Sequence, residues 1–352
     1  MFEVVFLGTS ASAPSIYRGL PSLAVFGGEH RFLVDCGEGT QRQILRSGIG
    51  FKKLNKILLT HGHLDHILGL GGLISTFARW ENEGIEQIDI FGGRATLDRV
   101  HALLYGVVLQ YEQLPIEIKL LELAPGVIFQ AKEYDVRAFP VTHRGYGNFG
   151  FSFEEHTRRP FLADQAEALG VPAGPERGKL VGGQAVTLAD GRTITPEMVL
   201  GAAVRGVRLV VIGDVARTDN LVEHVSGADV LVIESTFLHE DADAARAFGH
   251  ITAKQAAQLA DQCGVGALLI THVSRRYREA DVLDEARKVF PNTFVARDLD
   301  HFQVRRDPPA IKVAPEKRDK TPAEPAADTS PISETTAGVS EKTPPADQTS
   351  TE

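Results

Sequence analysis

The sequence predicts an α/β protein in which sheets are covered by helices, interrupted once by a long excursion and followed by a tail. Three observations predict it. Short apolar runs of strand character alternate with helical stretches at 41–47, 253–262 and 281–289. Four of the apolar runs end in residues that bind metals. The last 46 residues hold eight of the 18 prolines and no aromatic residue, so they cannot bury a core and are expected to be disordered.

The first of those runs carries the most information. Ile57-Leu58-Leu59 reads as a buried strand, and Thr60-His61-Gly62-His63-Leu64-Asp65-His66 follows at once. Gly69-Leu70-Gly71-Gly72-Leu73 then opens an apolar helix, which places the cluster on a strand-to-helix loop. Imidazole nitrogen and carboxylate oxygen suit zinc, and ligands this close together are readily preorganised. His61 and His63 alternate from the strand end and can face one metal. Asp65 and His66 lie one turn further on and can serve a second. A solvated loop rich in histidine by chance is the bland alternative. A two-metal hydrolase loop is the reading adopted.

Such a site needs further ligands, and three more strand-like runs supply candidates. Val136 to Thr142 leads into His143, Leu209 to Gly213 into Asp214, and Ala267 to Thr271 into His272. A lone histidine after a strand is usually an ordinary surface or hydrogen-bonded residue. The recurrence at three strand ends favours a shared site.

These residues resemble the metallo-β-lactamase fold and, within it, the ribonuclease Z family of tRNA 3′-processing endoribonucleases. Phe6-Leu7-Gly8-Thr9-Ser10 is similar to that family's first strand and turn. Val34-Asp35-Cys36-Gly37-Glu38-Gly39-Thr40-Gln41-Arg42-Gln43 is similar to its signature block, and Gly249-His250-Ile251-Thr252-Ala253 and Thr271-His272-Val273-Ser274-Arg275-Arg276-Tyr277 to its late motifs. The resemblance runs from about residue 1 to 304. It implies an αββα sandwich with a projecting arm insertion, a catalytic domain over 1–306 with the arm at about 155–207, and a disordered tail over 307–352.

It also implies two zinc ions per subunit. His61, His63 and His143 would hold one, Asp65, His66 and His272 the other, and Asp214 would bridge them. Asp65 would double as proton acceptor. His250, outside the ligand set, would protonate the leaving oxygen, and Glu234 could orient it. The substrate implied is precursor tRNA, cut just after the acceptor stem to leave a 3′-hydroxyl, and the implied assembly is a homodimer. The chain departs from the family pattern at Gly62 and Leu64, at Tyr17-Arg18-Gly19 and at Val215-Ala216, none of which removes a ligand. A metallo-β-lactamase-fold hydrolase of small esters or thioesters would share the metals but lack the arm and the 35–43 block. A nuclease of the related RNA- and DNA-processing branch would need a large inserted domain. A non-catalytic RNA-binding relative would have lost ligands.

Composition fits an enzyme of the cytoplasm. No run of about 18 apolar residues occurs, and Met1 to Val5 starts straight into a strand, so neither a membrane span nor a secretory leader is expected. Cys36 and Cys263 are too few for a disulfide framework, and Cys36 is read as buried packing. The net charge of −9 runs against RNA binding, which needs basic surface. Residues 307–352 carry nine acidic and five basic side chains, a net of −4, which leaves −5 on the body. Basic contacts must therefore be local, with Arg158-Arg159, Arg177 and Lys179, or Arg275, Arg276 and Arg278, as candidates.

Within the excursion, prolines and glycines punctuate 171–183, and Leu188-Ala189-Asp190-Gly191-Arg192 reads as a hairpin turn. The resemblance makes this the tRNA-gripping arm, and a long surface excursion without function is the alternative.

Overall fold

Hydrophobicity on both faces of the strands dictates a layered molecule. In the computed structural model, which describes residues 1–79, 85–109 and 115–314, two large sheets stack face to face. Seventeen strands are described: β1 (Phe2–Gly8), β2 (Ser22–Gly27), β3 (His30–Val34), β4 (Lys56–Leu58), β5 (Gln87–Gly92), β6 (Glu117–Glu122), β7 (Gly126–Gln130), β8 (Tyr134–Pro140), β9 (Phe149–Glu155), β10 (Val186–Thr187), β11 (Thr193–Ile194), β12 (Arg208–Val211), β13 (Val230–Glu234), β14 (Ala267–Thr271), β15 (Thr293–Val295), β16 (His301–Val304) and β17 (Ala310–Val313). One sheet has the order β17-β16-β1-β2-β3-β4-β5-β6 and the other β15-β14-β13-β12-β9-β8-β7.

The period of two in each strand sorts its side chains between two cores. From β1, Phe2, Val4 and Phe6 enter the layer between the sheets, whereas Val5 and Leu7 turn outward. From β12 and β13, Leu209, Val211, Val230 and Val232 point inward, and Val210, Leu231 and Ile233 outward. Burial on both faces is why these strands read as continuous apolar runs. Phe2, Phe32, Tyr134 and Phe153 meet edge to face in the middle layer. Helices cover the outer faces: Thr40–Ser47, Gly69–Arg79 and Arg94–Leu103 over one, and Ala253–Gln262 and Glu279–Arg287 over the other. The result is the αββα sandwich that the resemblance implied.

One boundary differs from the sequence expectation. The body does not stop at 306: Arg305 N–H bonds to Pro309 O, and β17 adds an edge strand to β16. The alternation in Ala310-Ile311-Lys312-Val313 is too short to separate from the polar stretch that follows it in sequence. Within the expected disordered tail, 315–352 lies outside the described residues.

The excursion at 156–206 builds a core of its own from Ala166, Val171, Leu180, Val186, Ile194 and Val199. Short helices Ala163–Ala168, Pro175–Val181 and Pro196–Val199 surround the β10-β11 hairpin, whose turn is the expected 188–192 segment. Its root lies at a defined end of the sheet. β9 begins at Phe149, whose N–H bonds to Thr60 O, and ends at Glu155, whose N–H bonds to Val207 O. At about 3.3 Å per residue, the root is roughly 20 Å from the end of the strand beside Thr60.

Candidate metal centre

Four strands deliver the predicted residues to one end of the sandwich. β4 runs through Leu59 and Thr60 to His61, β8 to His143, β12 to Asp214 and β14 to His272, each just past the strand's C-terminal end. His63 precedes the short helix Leu64–Ile67, which carries Asp65 and His66. Close backbone approach holds that helix in place. A Cβ on Gly69 would lie 2.0 Å from Gly37 O, so the 35–39 block and the metal loop can touch only with glycine there.

All seven predicted ligands converge, in two groups. His61, His63, His143 and Asp214 form one, and Asp65, His66 and His272 the other. In the first, His61 Nε2 lies 2.8 Å from His63 Nδ1 and 3.6 Å from Asp214 Oδ2, and His143 Nε2 lies 3.7 Å from the same oxygen. In the second, His66 Nε2 and His272 Nε2 lie 3.7 and 3.6 Å from Asp65 Oδ2. The same two nitrogens lie 3.4 and 3.2 Å from Asp214 Oδ1. Asp214 thus turns one oxygen to each group.

The far nitrogens of these histidines are fixed in turn. Asp35, buried and held at φ +58°, accepts from Thr60 N–H and Thr60 Oγ1 at 2.8 Å and bonds His66 Nδ1 at 2.8 Å. Thr60 Oγ1 reaches His61 Nδ1 at 3.0 Å, Gly249 O reaches His143 Nδ1 at 2.7 Å, and Thr236 Oγ1 reaches His272 Nδ1 at 2.8 Å. Such partners set ring orientation and tautomer. Asp35, Thr60 and Thr236 had no assigned role in the sequence. The signal for Asp35 was present in the 35–43 block, but its spacing of 31 residues from His66 conceals the contact.

The donor set fits divalent cations. His66 Nε2, His272 Nε2 and Asp214 Oδ1 are buried without a hydrogen-bond partner, and they face one another. Orphaned polar atoms are costly, and a bound cation would satisfy all three. Electrostatics point the same way. Burial opposes charge on Asp214, yet His272, His66 and His61 outweigh it and hold the carboxyl well below its usual range. Burial, then the neighbouring His66, pushes His61 well below the ordinary imidazole value, and burial lowers His63 and His143 too. His61, His63 and His143 are thus held neutral, as metal binding requires, whereas against its burial Asp214 and then Asp35 hold His66 well above the ordinary imidazole value, so a metal binding there would displace its proton.

His250 sits at the edge of both groups, its Nδ1 3.9 Å from Asp214 Oδ2. It could join Asp214 and His272 as a third possible ligand group. Its Nδ1 is already taken, however, by Glu234 Oε1 at 2.9 Å. Glu234 is fully buried and also accepts from Val215 N–H at 2.8 Å and from Thr236 Oγ1 at 2.5 Å. Burial opposes charge on His250, but Glu234 prevails and raises it to about 9. Cys36 is buried in the outer core against the Thr40–Ser47 helix, and burial pushes its thiol up to about 12. A thiol so hard to ionise is a poor ligand or nucleophile.

The comparisons with known proteins agree with this geometry. The metallo-β-lactamase superfamily model matches residues 19–78, and a β-lactamase superfamily domain model matches 180–273. The ribonuclease Z of Bradyrhizobium diazoefficiens is 48% identical over 304 residues, covering 86% of this chain and 100% of that one. The chain belongs to the ribonuclease Z family. The ribonuclease Z of Archaeoglobus fulgidus is 39% identical over 311 residues, covering 87% of this chain and 99% of that one. Among solved structures, human tRNase Z, short form, superposes with a TM-score of 0.60 at 24% identity, covering 86% and 98% of the two chains, a likeness of fold. Ribonuclease Z membership makes the chain a hydrolytic nuclease of the metallo-β-lactamase superfamily, a group that works with divalent metal.

Proposed function

We propose that this protein is a zinc endoribonuclease that removes the 3′ trailer from precursor tRNA in the cytoplasm, leaving a 3′-hydroxyl on the tRNA. The observation that carries the proposal is the convergence of all seven ligand-type residues in a chain 48% identical to a ribonuclease Z over nearly its whole body. His61, His63 and His143 would hold one ion, Asp65, His66 and His272 the second, and Asp214 both. When bound, the pair would supply a hydroxide near neutral pH and positive charge for the phosphate oxygens.

The chain's own residues supply the rest. Asp65 is steered by Ser12 N–H at 3.1 Å and stands at the open side of the second group, where a carboxylate can orient the attacking water and take its proton. His250, which Glu234 holds above the ordinary imidazole value and grips through Nδ1, keeps Nε2 free to pass a proton to the leaving oxygen. Burial of the Asp35, Thr60, Thr236 and Glu234 network keeps these groups from rearranging during the reaction.

The excursion at 156–206 serves as the tRNA grip. Its root is at the opposite end of β9 from the metal residues, so it is badly placed to reach its own cleft. In a homodimer, one subunit's arm would serve the other's site. Two of its cations already have work within the arm: Arg159 donates to Leu200 O and Gly201 O, and Arg177 donates to Val171 O and lies over Phe161. Arg158 and Lys179 are left as the freer phosphate contacts.

The test is cleavage of a precursor tRNA bearing a 3′ trailer, with the product end mapped. A single cut just after the acceptor stem is expected. An intact precursor, with a small ester hydrolysed instead, would favour the other metallo-β-lactamase-fold chemistry.

A further inference from the structure

The loop after His143 carries a feature that the metal chemistry does not use. Tyr146 lies between Gly145 at φ +77° and Gly147 at φ +75°, and its side chain is 79% exposed. The turn is pinned from behind. A Cβ on Gly93 would lie 2.0 Å from Gly147 O, so the loop packs backbone to backbone against the start of helix Arg94–Leu103. An aromatic ring is thus held out in solvent on a fixed support, where the hydrophobic effect alone would bury it.

The surroundings are selective. Tyr146 borders a cleft shared with His61, His63, Arg99, Arg144 and Asn148. In this acidic protein many exposed arginines pair with carboxylates, as Arg276 does with Asp241, Arg278 with Asp281 and Arg94 with Asp98. Arg99 and Arg144 do not, among the described residues. Arg99 donates to Gly62 O at 2.6 Å, and Arg144 donates to Ala247 O at 3.1 Å and lies over Phe248. Those carbonyl bonds fix the guanidinium groups while leaving their charge uncompensated. The amides that begin helix Arg94–Leu103, which no side chain caps, add positive potential at the same place.

We infer that this cleft is a nucleotide subsite beside the first metal group. Tyr146 stacks a base adjoining the scissile phosphate, and Arg99 and Arg144 hold the phosphate attached to that base. An aromatic platform beside two fixed guanidinium groups is how single-stranded nucleic acid is held without reading its sequence. The inference rests on the RNA-cleaving reading but not on tRNA being the substrate.

The experiment uses the holoenzyme and two probes. One is a precursor tRNA with 2-aminopurine at either nucleotide adjoining the cut, and the other is an unstructured oligoribonucleotide with the same label. Stacking on Tyr146 should quench the label. Tyr146→Ala should abolish the quenching and weaken binding about 10- to 100-fold, whereas Tyr146→Phe should stay within about two-fold of wild type. Arg144→Met should weaken binding and flatten the salt dependence by roughly 0.7 in log–log slope, the share of one phosphate on a single strand. If Tyr146→Ala is unstable, the Tyr146→Phe and Arg144→Met pair still decides. Unchanged binding in Tyr146→Ala, an unchanged slope in Arg144→Met, or a Phe variant as weak as the Ala variant would overturn the subsite. An uncut precursor with Tyr146-dependent quenching on the oligoribonucleotide would sink the tRNA reading and keep the subsite. Normal cleavage with Tyr146→Ala kinetics unchanged would do the reverse.

Discussion

The metal centre and the excursion at 156–206 occupy opposite ends of the same strands, and they are built on opposite principles. At the centre, the far nitrogens of His61, His66, His143 and His272 are each fixed by a hydrogen bond to a buried partner. Asp35 alone ties together Thr60, His66 and the end of β4. The excursion has a small core of six buried residues, is closed near its base by the Arg158–Val204 and Phe161–Leu200 bridges, and joins the body where β9 ends and β12 begins. Rigid geometry suits bond cleavage, where misplacement by about 1 Å is expensive. A weakly tied element suits recognition of a large substrate away from the bond.

The comparison breaks first at Asp214. Because its two oxygens face the two groups, Asp214→Ala should disturb both ions at once. Metal analysis should fall well below the two equivalents expected of the parent, and nuclease activity should drop by more than about 100-fold, beyond what loss of an outer partner causes. Full metal content in the variant would remove Asp214 from the shared position.

A smaller effect is expected at His250. His250→Ala should keep its metal while losing about 10²–10⁴ in rate. Collapse of metal content would instead make His250 a ligand, as its place beside Asp214 and His272 allows. The Glu234 contact gives the same question a pH signature in the metal-free protein. There His250 is held up to about 9, so its stabilising charge is complete below about 6.5, the imidazole reference value, and is lost as pH rises through 9. Glu234→Gln removes the opposing charge and leaves the burial, so the imidazole resonance should titrate below 6.5. A resonance that stays near 9 would show that Glu234 is not the cause.

The smallest effect on chemistry belongs to the excursion. Replacing 160–200 by a short Gly-Ser bridge should raise KM for precursor tRNA severely, with the loss shrinking at low salt. Hydrolysis of bis(p-nitrophenyl) phosphate should largely survive, since the root lies at the far end of β9 from the metal residues. Equal loss on both substrates, in a protein that still binds metal, would show that the segment supports the centre.

Much of the site was legible because metal ligands obey local chemistry. His61, His63, Asp65 and His66 fall within six residues, and His143, Asp214 and His272 each follow an apolar run. The helix at Ala253–Gln262 was legible as a helical stretch, and the structure shows its start fixed by a capping box between Thr252 and Gln255. Asp35 and Thr236 were not legible in their roles, because their partners lie 31 and 36 residues away in sequence. The use of Arg159 and Arg177 inside the excursion was hidden too, since a charged side chain reads the same whether it faces solvent or a carbonyl.

By itself, then, the sequence determined the α/β class, the two-faced burial of the strands, the family and the residue types that gather at the centre. Periodicity and ligand chemistry act over a few residues and leave their mark there. Only the tertiary structure decided which oxygen of Asp214 faces which group, that Glu234 occupies one nitrogen of His250, and that β17 extends the body to Val313. It also placed Tyr146 beside Arg99 and Arg144 and set the excursion at the far end of β9. Those facts depend on strand order and register, which bring together residues tens to hundreds of positions apart, and no local pattern records that meeting.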